Sequence, residues 1–583
     1  MKYSSIPTAQ AIVQHFQARK ISNIVISPGS RNAPLTIAFT ENQFFECYSI
    51  VDERCAAFFA MGMAQQLQHP VAVLCTSGSA LLNYYPAVAE AYYSTIPLII
   101  ISADRPAYKV DIGDGQTIRQ KNIYQNHIGY SANLKQDISH ATEKIREYRP
   151  DWIRDKDLSE LQQQVQRYND GELNTALNLA MQSSVPVHIN VPLEEPLYNT
   201  LLEPSLQASI NMGEERKEDF PDLTRYKDIW NTTDQKMILV GVSTPQTLKD
   251  EVLELLAKDP SVLVFTETTS NLYHPNFFNS IDSIIAPIEF SENTAEQFEM
   301  LRPDLLVTFG GFIVSKKIKA FLRKYQPKHH WHVGEEVAND TFYCLEAHLK
   351  LSENDFFAEM YAGGSGTASA YFETWNKVKD NYLHRRARYI EEIPFSDFSV
   401  FAKILESIPK HSQLQLANSS TIRYTQLFEL DPSLEVFCNR GTSGIDGSTS
   451  TAIGASCKSK LPTIFLTGDL SFFYDSNALW NNYLRNDFRI IVINNGGGGI
   501  FRILPGKEES DNFKTFFETK HGLNAKQLCE MYGIEYQGSN TLESLDIELR
   551  TFYEDSGRPK LLEIFTPRLL NDKILMNYFH FIS

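Results

Sequence analysis

Asp469 and Asn495 are the residues on which chemistry can be built. Asp469 follows an apolar run, Pro462 to Thr467, that ends in Gly468-Asp469. Asn495 follows a second run, Arg489 to Ile493, that ends in two asparagines and four glycines. Both runs read as buried strands, and open α/β sheets bind ligands at the carboxyl ends of their strands. The two side chains therefore project into one crevice although 26 positions separate them. A carboxylate oxygen and an amide oxygen suit a hard divalent cation such as Mg2+, which accompanies phosphate. The glycines after Asn495 let the backbone turn tightly and offer bare carbonyl or amide groups to the same ligand. Gly468 to Phe501 thus reads as a cradle for magnesium and a diphosphate.

Such a cradle needs sheets around it, and the chain is long enough to build several. Its 583 residues exceed one ordinary core, and 43% hydrophobic with 12% aromatic residues describes a globular protein. The net charge of -17 excludes nucleic-acid binding as a main task, because that needs a basic face. Anionic substrates would have to be held by local clusters of Arg and Lys against the global field. Seven cysteines without a CxxC pair indicate buried thiols in a reducing compartment rather than zinc or disulfides. There is no signal-type leader and no run near the roughly 20 apolar residues of a membrane span, so a cytoplasmic protein is expected.

The elements repeat in a βαβ manner, which predicts an α/β fold of three doubly wound parallel-sheet domains: 1–200, 201–360 and 361–583. In the first, Asn23–Ser27, Val71–Thr76, Leu98–Ser102 and Val185–Val191 are strands, and the loops after them carry Arg31 and Arg105. Glu53, opening a small-residue helix, reads on residues alone as a first-turn carboxylate favoured by the helix dipole. His188 lies within a strand and reads as a core histidine. Residues 138–179 form a charged helical stretch, broken at Pro150 and at Asn169-Asp170-Gly171, with no chemistry assigned. Residues 203–234 read as a linker.

The middle domain takes Met237–Val242, Val262–Thr266, Leu305–Phe309 and His330–Val333 as strands. Its Gly310-Gly311 lacks the rest of a dinucleotide fingerprint. Lys316 beyond it is either a solvated helix start or a site cation. Tyr361–Ala370 reads as a flexible connector. The last domain takes Gln413–Ala417, Glu435–Cys438, Thr463–Leu466, Ile490–Ile493 and Lys560–Phe565, with Arg423 and Arg440 on its loops. Four arginines at strand ends in an acidic chain favour an anionic substrate. No Walker lysine loop and no G-x-S-x-G elbow is present, which weighs against nucleotide hydrolysis and serine esterase chemistry.

Gly-Asp followed about two dozen residues later by Asn-Asn resembles the metal motif of thiamine-diphosphate enzymes. Ser27-Pro28-Gly29-Ser30-Arg31-Asn32, Asp52-Glu53-Arg54, Thr76-Ser77-Gly78-Ser79, Ala103-Asp104-Arg105-Pro106 and Asn439-Arg440-Gly441-Thr442-Ser443-Gly444-Ile445-Asp446-Gly447 narrow this further. Together they resemble the MenD family, the 2-succinyl-5-enolpyruvyl-6-hydroxy-3-cyclohexene-1-carboxylate synthases of menaquinone biosynthesis. The resemblance spans the chain in order and is loosest in the middle domain. It implies a pyrimidine-binding domain, a Rossmann-like middle domain and a diphosphate-binding domain. It also implies a dimer or tetramer whose active sites join the first domain of one chain to the last of another.

The resemblance further implies that 2-oxoglutarate is decarboxylated and its succinyl carbanion added to isochorismate. Thiamine diphosphate with Mg2+ (or Mn2+) would be bound through Glu53, Ser419, Ile445, Gly468, Asp469, Leu470, Ser471 and Asn495, with Asp469, Asn495 and the Gly497 backbone on the metal. Glu53 would hydrogen-bond the aminopyrimidine and drive its acid-base work, and Ile445 would hold the cofactor bent. Arg31, Arg105, Arg423, Arg440, Lys316 and Gln116 would hold substrate, since guanidinium forks suit carboxylates. Ile500, Phe501 and Leu504 would form an apolar wall against water. Three positions depart from the wider pattern: Gly115 where relatives often have Asn, Lys317 where an arginine can occur, and Leu470 where the class has Gly. The rivals are another 2-oxo-acid carboligase, such as acetohydroxyacid synthase, and a non-catalytic binding protein that retained the fold.

Overall fold

Runs of Ile, Val and Leu that stop at turn-forming residues build three parallel sheets in the computed structural model, which describes residues 2–213, 220–335, 337–364, 367–503 and 510–583. The first sheet takes Asn23–Ile26, Glu46–Ser49, Val71–Cys75, Leu98–Asp104, Tyr130–Asn133 and Val187–Pro192. Their spatial order is second, first, third, fourth, sixth, fifth. Gln413–Leu416, Glu435–Cys438, Thr463–Gly468, Arg489–Asn494, Glu535–Ser539 and Lys560–Phe565 form a last sheet with the same order. The middle sheet takes Lys236–Val240, Val262–Phe265, Leu305–Phe309, His329–Val333 and Ala347–Leu349, ordered second, first, third, fourth, fifth. In each, the strand order reverses beside the first strand, and the crevice beyond the carboxyl ends there is where such sheets bind ligands.

The chain divides into two compact units. One comprises Met1–Lys217 with Gly441–Lys460 and Tyr474–Arg485; the other comprises Glu218–Arg440, Leu461–Phe473 and Asn486–Ser583. The first unit holds the first sheet. Against that sheet's Val71–Cys75 strand lies the helix Glu53–Leu67, which also packs on the helix Ser448–Lys458 at backbone distance. A Cβ at Gly454 would stand 2.0 Å from the carbonyl oxygen of Phe59, and one at Gly62 would stand 2.1 Å from that of Thr451. Backbone cannot yield as a side-chain tip can. Gly454→Val is therefore expected to destabilise the protein by about 3 kcal/mol, read as a lower urea midpoint. An unchanged midpoint would show that the two helices part freely.

Two expectations are corrected in this unit. The helix Leu158–Ser183 runs unbroken through Asn169-Asp170-Gly171. Both polar side chains are buried and satisfied there: Asn169 bonds Lys135 through N–H and carbonyl, and Asp170 accepts from His15 Nε2 at 2.9 Å and from Ser209 N at 2.9 Å. Tertiary partners thus override a local break signal. The stretch read as linker begins as a laid-down strip, in which Ser205, Ala208 and Asn211 donate backbone N–H to Gln10, Gln14 and Asn174. His188 is a core residue, bonded to Ser102 Oγ at 2.7 Å and pushed down to about 3 by burial.

In the second unit, one apolar core joins the middle and last sheets, running from Met237, Leu263 and Phe265 through Trp375 and Tyr382 to Leu414 and Ile464. Asn271 splices them further, donating to the Val436 carbonyl and accepting from its N–H at 2.9 and 2.7 Å. Thr367 and Ser369, in the expected connector, are tied by hydroxyl bonds to Asn231 O and Asp234 O. Among the described residues no helix is long and apolar enough to cross a membrane.

Candidate active site

The candidate metal residues lie in the second unit, at the carboxyl ends of the third and fourth strands of the last sheet. Asp469 opens the helix Asp469–Tyr474 directly after its strand and is 3% exposed. Its Oδ1 accepts from Leu470 N at 2.7 Å, and its Oδ2 accepts from Gly496 N at 2.9 Å and Gly497 N at 3.0 Å. The strands' carboxyl ends thus bring Asp469 and the glycine loop together. Strand alternation separates the two asparagines. Asn494 turns to Glu563 Oε1 at 2.7 Å within the sheet, whereas Asn495 turns to Asp397 Oδ2 at 3.0 Å.

Asn495 Oδ1 is buried without a hydrogen-bond partner. A buried amide oxygen left bare costs about 1–3 kcal/mol, and a cation would satisfy it. With the Asp469 carboxylate in the same loop cluster, these oxygens fit a hard divalent ion. Gly497 has φ of 147°, and a Cβ there would stand 2.6 Å from the Glu518 carbonyl, so this turn excludes side chains. Behind it, buried Glu518 pairs with Arg502 and, at 2.6 Å, with Arg568. His521 Nε2 stands 3.2 Å from Asp469 Oδ2, an ionic contact that lifts the histidine above its usual pKa. Ile500 and Phe501, on the 3-10 turn Gly499–Ile503, are half-buried, while Leu504 falls outside the described residues.

The same unit gathers cations. Ser419 precedes the helix Ser420–Thr425 with φ of 67°, a strained value for a residue with a Cβ. Arg423 returns to the Ser419 carbonyl at 2.9 Å, and its pKa is lowered by burial and by the charge of Arg440. Buried Asn418 ties the two loops, donating to Asn439 O at 2.7 Å and accepting from Arg440 Nη1 at 2.7 Å. Lys316 is exposed at the first turn of the helix Lys316–Lys324 and makes no ion pair among the described residues, whereas Lys317 pairs with Glu289. Buried Glu267 sets this helix start by accepting from Val314 N and Ser315 N at 2.6 and 2.7 Å. Gly468, Leu470 and Ser471 flank Asp469, with Ser471 buried.

The first unit carries a second set of candidate residues. Glu53 is the first residue of its helix, half-buried, and its carboxylate makes no hydrogen bond or ion pair among the described residues. Its neighbours are fixed instead. Asp52 caps the helix by accepting from Cys55 N at 3.2 Å and holds Asn477 Nδ2 at 2.9 Å. Arg54 bonds the Tyr474 carbonyl at 3.0 Å and stands 3.5 Å from buried Asp475, which in turn accepts from Ser450 N at 2.7 Å. Arg31 is buried, with Nη1 on Leu193 O at 3.1 Å, Nη2 on Glu195 at 3.2 Å and Nε unpartnered. Arg105 bonds Ser77 Oγ and, at 3.4 Å, the Gln116 carbonyl, and its pKa is lowered by burial and by Arg31. The two arginines thus share a neighbourhood, with Gln116 exposed beside them.

Ile445 sits on the loop 441–447, which Glu90 pins through Gly441 N, Thr442 N and Thr442 Oγ1 at 2.6, 2.6 and 2.7 Å. Glu90 and Asp475 in the first unit, and Asn418, Asp397 and Glu267 in the second, brace the segments that carry the candidate residues, and sequence reasoning assigned none of them a role. Capping boxes mark the starts beside two of them, Ser396 with Ser399 before Asp397 and Glu267 with Ser270, but they signal a helix start and not a role at the site.

Residues 6–128 match the family described as thiamine pyrophosphate enzyme, N-terminal TPP binding domain. That match, on a chain with two six-stranded parallel sheets of the same strand order, defines a thiamine-diphosphate-dependent enzyme. Over its whole length the chain is 53% identical to a 2-succinyl-5-enolpyruvyl-6-hydroxy-3-cyclohexene-1-carboxylate synthase of Christiangramia forsetii, with all of both chains covered. It is 52% identical to the synthase of that name from Flavobacterium johnsoniae, covering 99% of each, and 36% identical to that of Porphyromonas gingivalis, covering 100% of this chain and 98% of the other. The chain belongs to the family of 2-succinyl-5-enolpyruvyl-6-hydroxy-3-cyclohexene-1-carboxylate synthases.

Proposed function

We propose that this protein makes 2-succinyl-5-enolpyruvyl-6-hydroxy-3-cyclohexene-1-carboxylate for menaquinone biosynthesis, by decarboxylating 2-oxoglutarate and joining its succinyl unit to isochorismate. Full-length similarity to synthases of that name carries the reading. Thiamine diphosphate, when bound, supplies the electron sink that decarboxylation of a 2-oxo acid requires. Asp469, Asn495 and the Gly497 carbonyl hold Mg2+ or Mn2+ on its diphosphate, a role supported by the bare, buried Asn495 Oδ1. Ser419, Gly468, Leu470 and Ser471 line the same end, and Ile445 supports the cofactor's shape.

Glu53 holds a proton at the aminopyrimidine, which sets the basicity of the amino nitrogen. Its lack of a competing partner supports this role, because a carboxylate already in an ion pair would be unavailable. Arg31, Arg105 and Gln116 from the first unit, and Arg423, Arg440 and Lys316 from the second, bind the substrates' carboxylates. Guanidinium forks suit carboxylates. Burial and nearby Arg31 lower the pKa of Arg105, and burial and nearby Arg440 lower that of Arg423, which supports a shared anionic ligand for each pair. Ile500 and Phe501 exclude water from the reacting carbon, with Leu504 assigned alongside them. The enzyme works in the cytoplasm as a homodimer or homotetramer in which each active site draws Glu53 from one chain and the metal ligands from another.

The test is to mix the protein with Mg2+, thiamine diphosphate and 2-oxoglutarate, and to measure carbon dioxide and product mass with and without isochorismate. The expected product carries both a succinyl unit and the isochorismate ring. Turnover of pyruvate instead, with 2-oxoglutarate untouched, would favour an acetohydroxyacid-type carboligase.

A further inference from the structure

Asn495 can present either end of its amide to a neighbour, since it has an NH2 donor side and a carbonyl acceptor side. Only the carbonyl can ligate a cation. In this structure the choice is made by Asp397: Nδ2 donates to Asp397 Oδ2 at 3.0 Å, and Oδ1 is left buried without a partner. An ionised carboxylate accepts and never donates, so this neighbour selects the NH2 side.

Asp397 is itself held on independent sides. Its Oδ1 accepts from Thr566 Oγ1 at 2.5 Å, and its backbone N donates to Asn571 Oδ1 at 2.9 Å. It opens the helix Asp397–Ser407, whose Phe398, Val400, Phe401, Ile404 and Leu405 lie in the apolar core. The helix therefore cannot swing to follow a turned amide. A side chain 2% exposed, locked by a hydroxyl and by its own helix, has one geometry to offer.

We propose that Asp397 is a positioning residue that fixes the amide of Asn495 with its oxygen free for the divalent cation. The inference rests on the metal assignment made above. Asp397 ligates nothing itself; it acts through Asn495, as carboxylates behind metal ligands do when they fix a ligand's orientation. Removing such an outer partner typically costs about 10–100-fold in metal affinity.

The test measures Mg2+ binding by titration calorimetry with thiamine diphosphate present, in the full-length wild type, D397A, D397N, N495A and D397A/N495A. D397A is expected to weaken Mg2+ binding about 10–100-fold. D397N is expected to recover most of that loss, because an asparagine can keep its carbonyl toward Asn495 by turning its NH2 to the Thr566 hydroxyl. In the N495A background, D397A is expected to add little, since residues acting as one unit are non-additive. Unchanged affinity in D397A, or a full additional loss in the double variant, would overturn the proposal while leaving the metal assignment intact. Unchanged affinity in N495A would overturn both. If D397A does not fold, Thr566→Val serves in its place, with a loss of roughly 2–10-fold expected from one hydrogen bond; unchanged affinity there overturns the proposal.

Discussion

Glu53→Gln is expected to lower turnover by about 10^2–10^4-fold while the protein folds and binds its cofactor at near wild-type levels. The carboxylate breaks no hydrogen bond or ion pair among the described residues when it is replaced, so the fold loses nothing by it. Its helix start is kept by Asp52 on Cys55 N and Asn477, and by Arg54 on the Tyr474 carbonyl. Glutamine matches the shape of glutamate and lacks its exchangeable carboxyl proton. The effect should therefore fall on kcat, and on the rate at which bound thiamine diphosphate exchanges its C2 proton for deuterium, with cofactor affinity little changed. Wild-type exchange in the variant would remove Glu53 from the acid-base role.

Asp469→Ala is expected to weaken Mg2+ binding by more than the roughly 100-fold upper range for outer-shell changes. The proposed metal ligand is deleted, and the loop that carries the others loses its anchor as well. Gly497 N loses its acceptor, at about 1–3 kcal/mol for a donor left dry, and Gly496 N keeps only Asn494 Oδ1 at 3.1 Å. The variant should melt lower than wild type without ligand, and the gap should widen when Mg2+ and thiamine diphosphate are added, because ligand binding stabilises only the form that binds. A variant stabilised by the added pair as much as wild type would place the cation elsewhere.

The strands inside the sheets were legible because burial on both faces demands continuous apolar runs, as in Val71–Cys75 or Ile490–Ile493. The strands of the three parallel sheets that sequence reading missed, Glu46–Ser49, Tyr130–Asn133, Ala347–Leu349 and Glu535–Ser539, all lie at sheet edges. There one side faces solvent or a loop, and sequences such as ECYS and YSAN carry no run to detect. Asp469 and Asn495 were legible for a related reason: each ends a readable strand, so topology alone brings them together. Asp397 was not, because its meaning depends on a partner 98 positions away, and no local pattern encodes that distance. Glu90 was hidden in the same way, since a glutamate on the helix Tyr85–Tyr93 gives no sign that it will pin Gly441 and Thr442. The loop after Asn495 advertises itself by glycine; Asp397 and Glu90, which brace such loops, are ordinary helix residues until the chain folds.

The first unit is not finished when its N-terminal stretch ends at Lys217, because it also needs Gly441–Lys460 and Tyr474–Arg485. A ribosome adding about 5–20 residues per second takes on the order of tens of seconds to cover that interval. During that wait the nascent helix Glu53–Leu67 lacks the helix Ser448–Lys458, which later meets it at Gly454, and the side it covers is open to chaperones or to other nascent chains. Shortening the gene after the middle sheet would thus leave the N-terminal part incomplete, so soluble truncations should retain residues through at least Arg485.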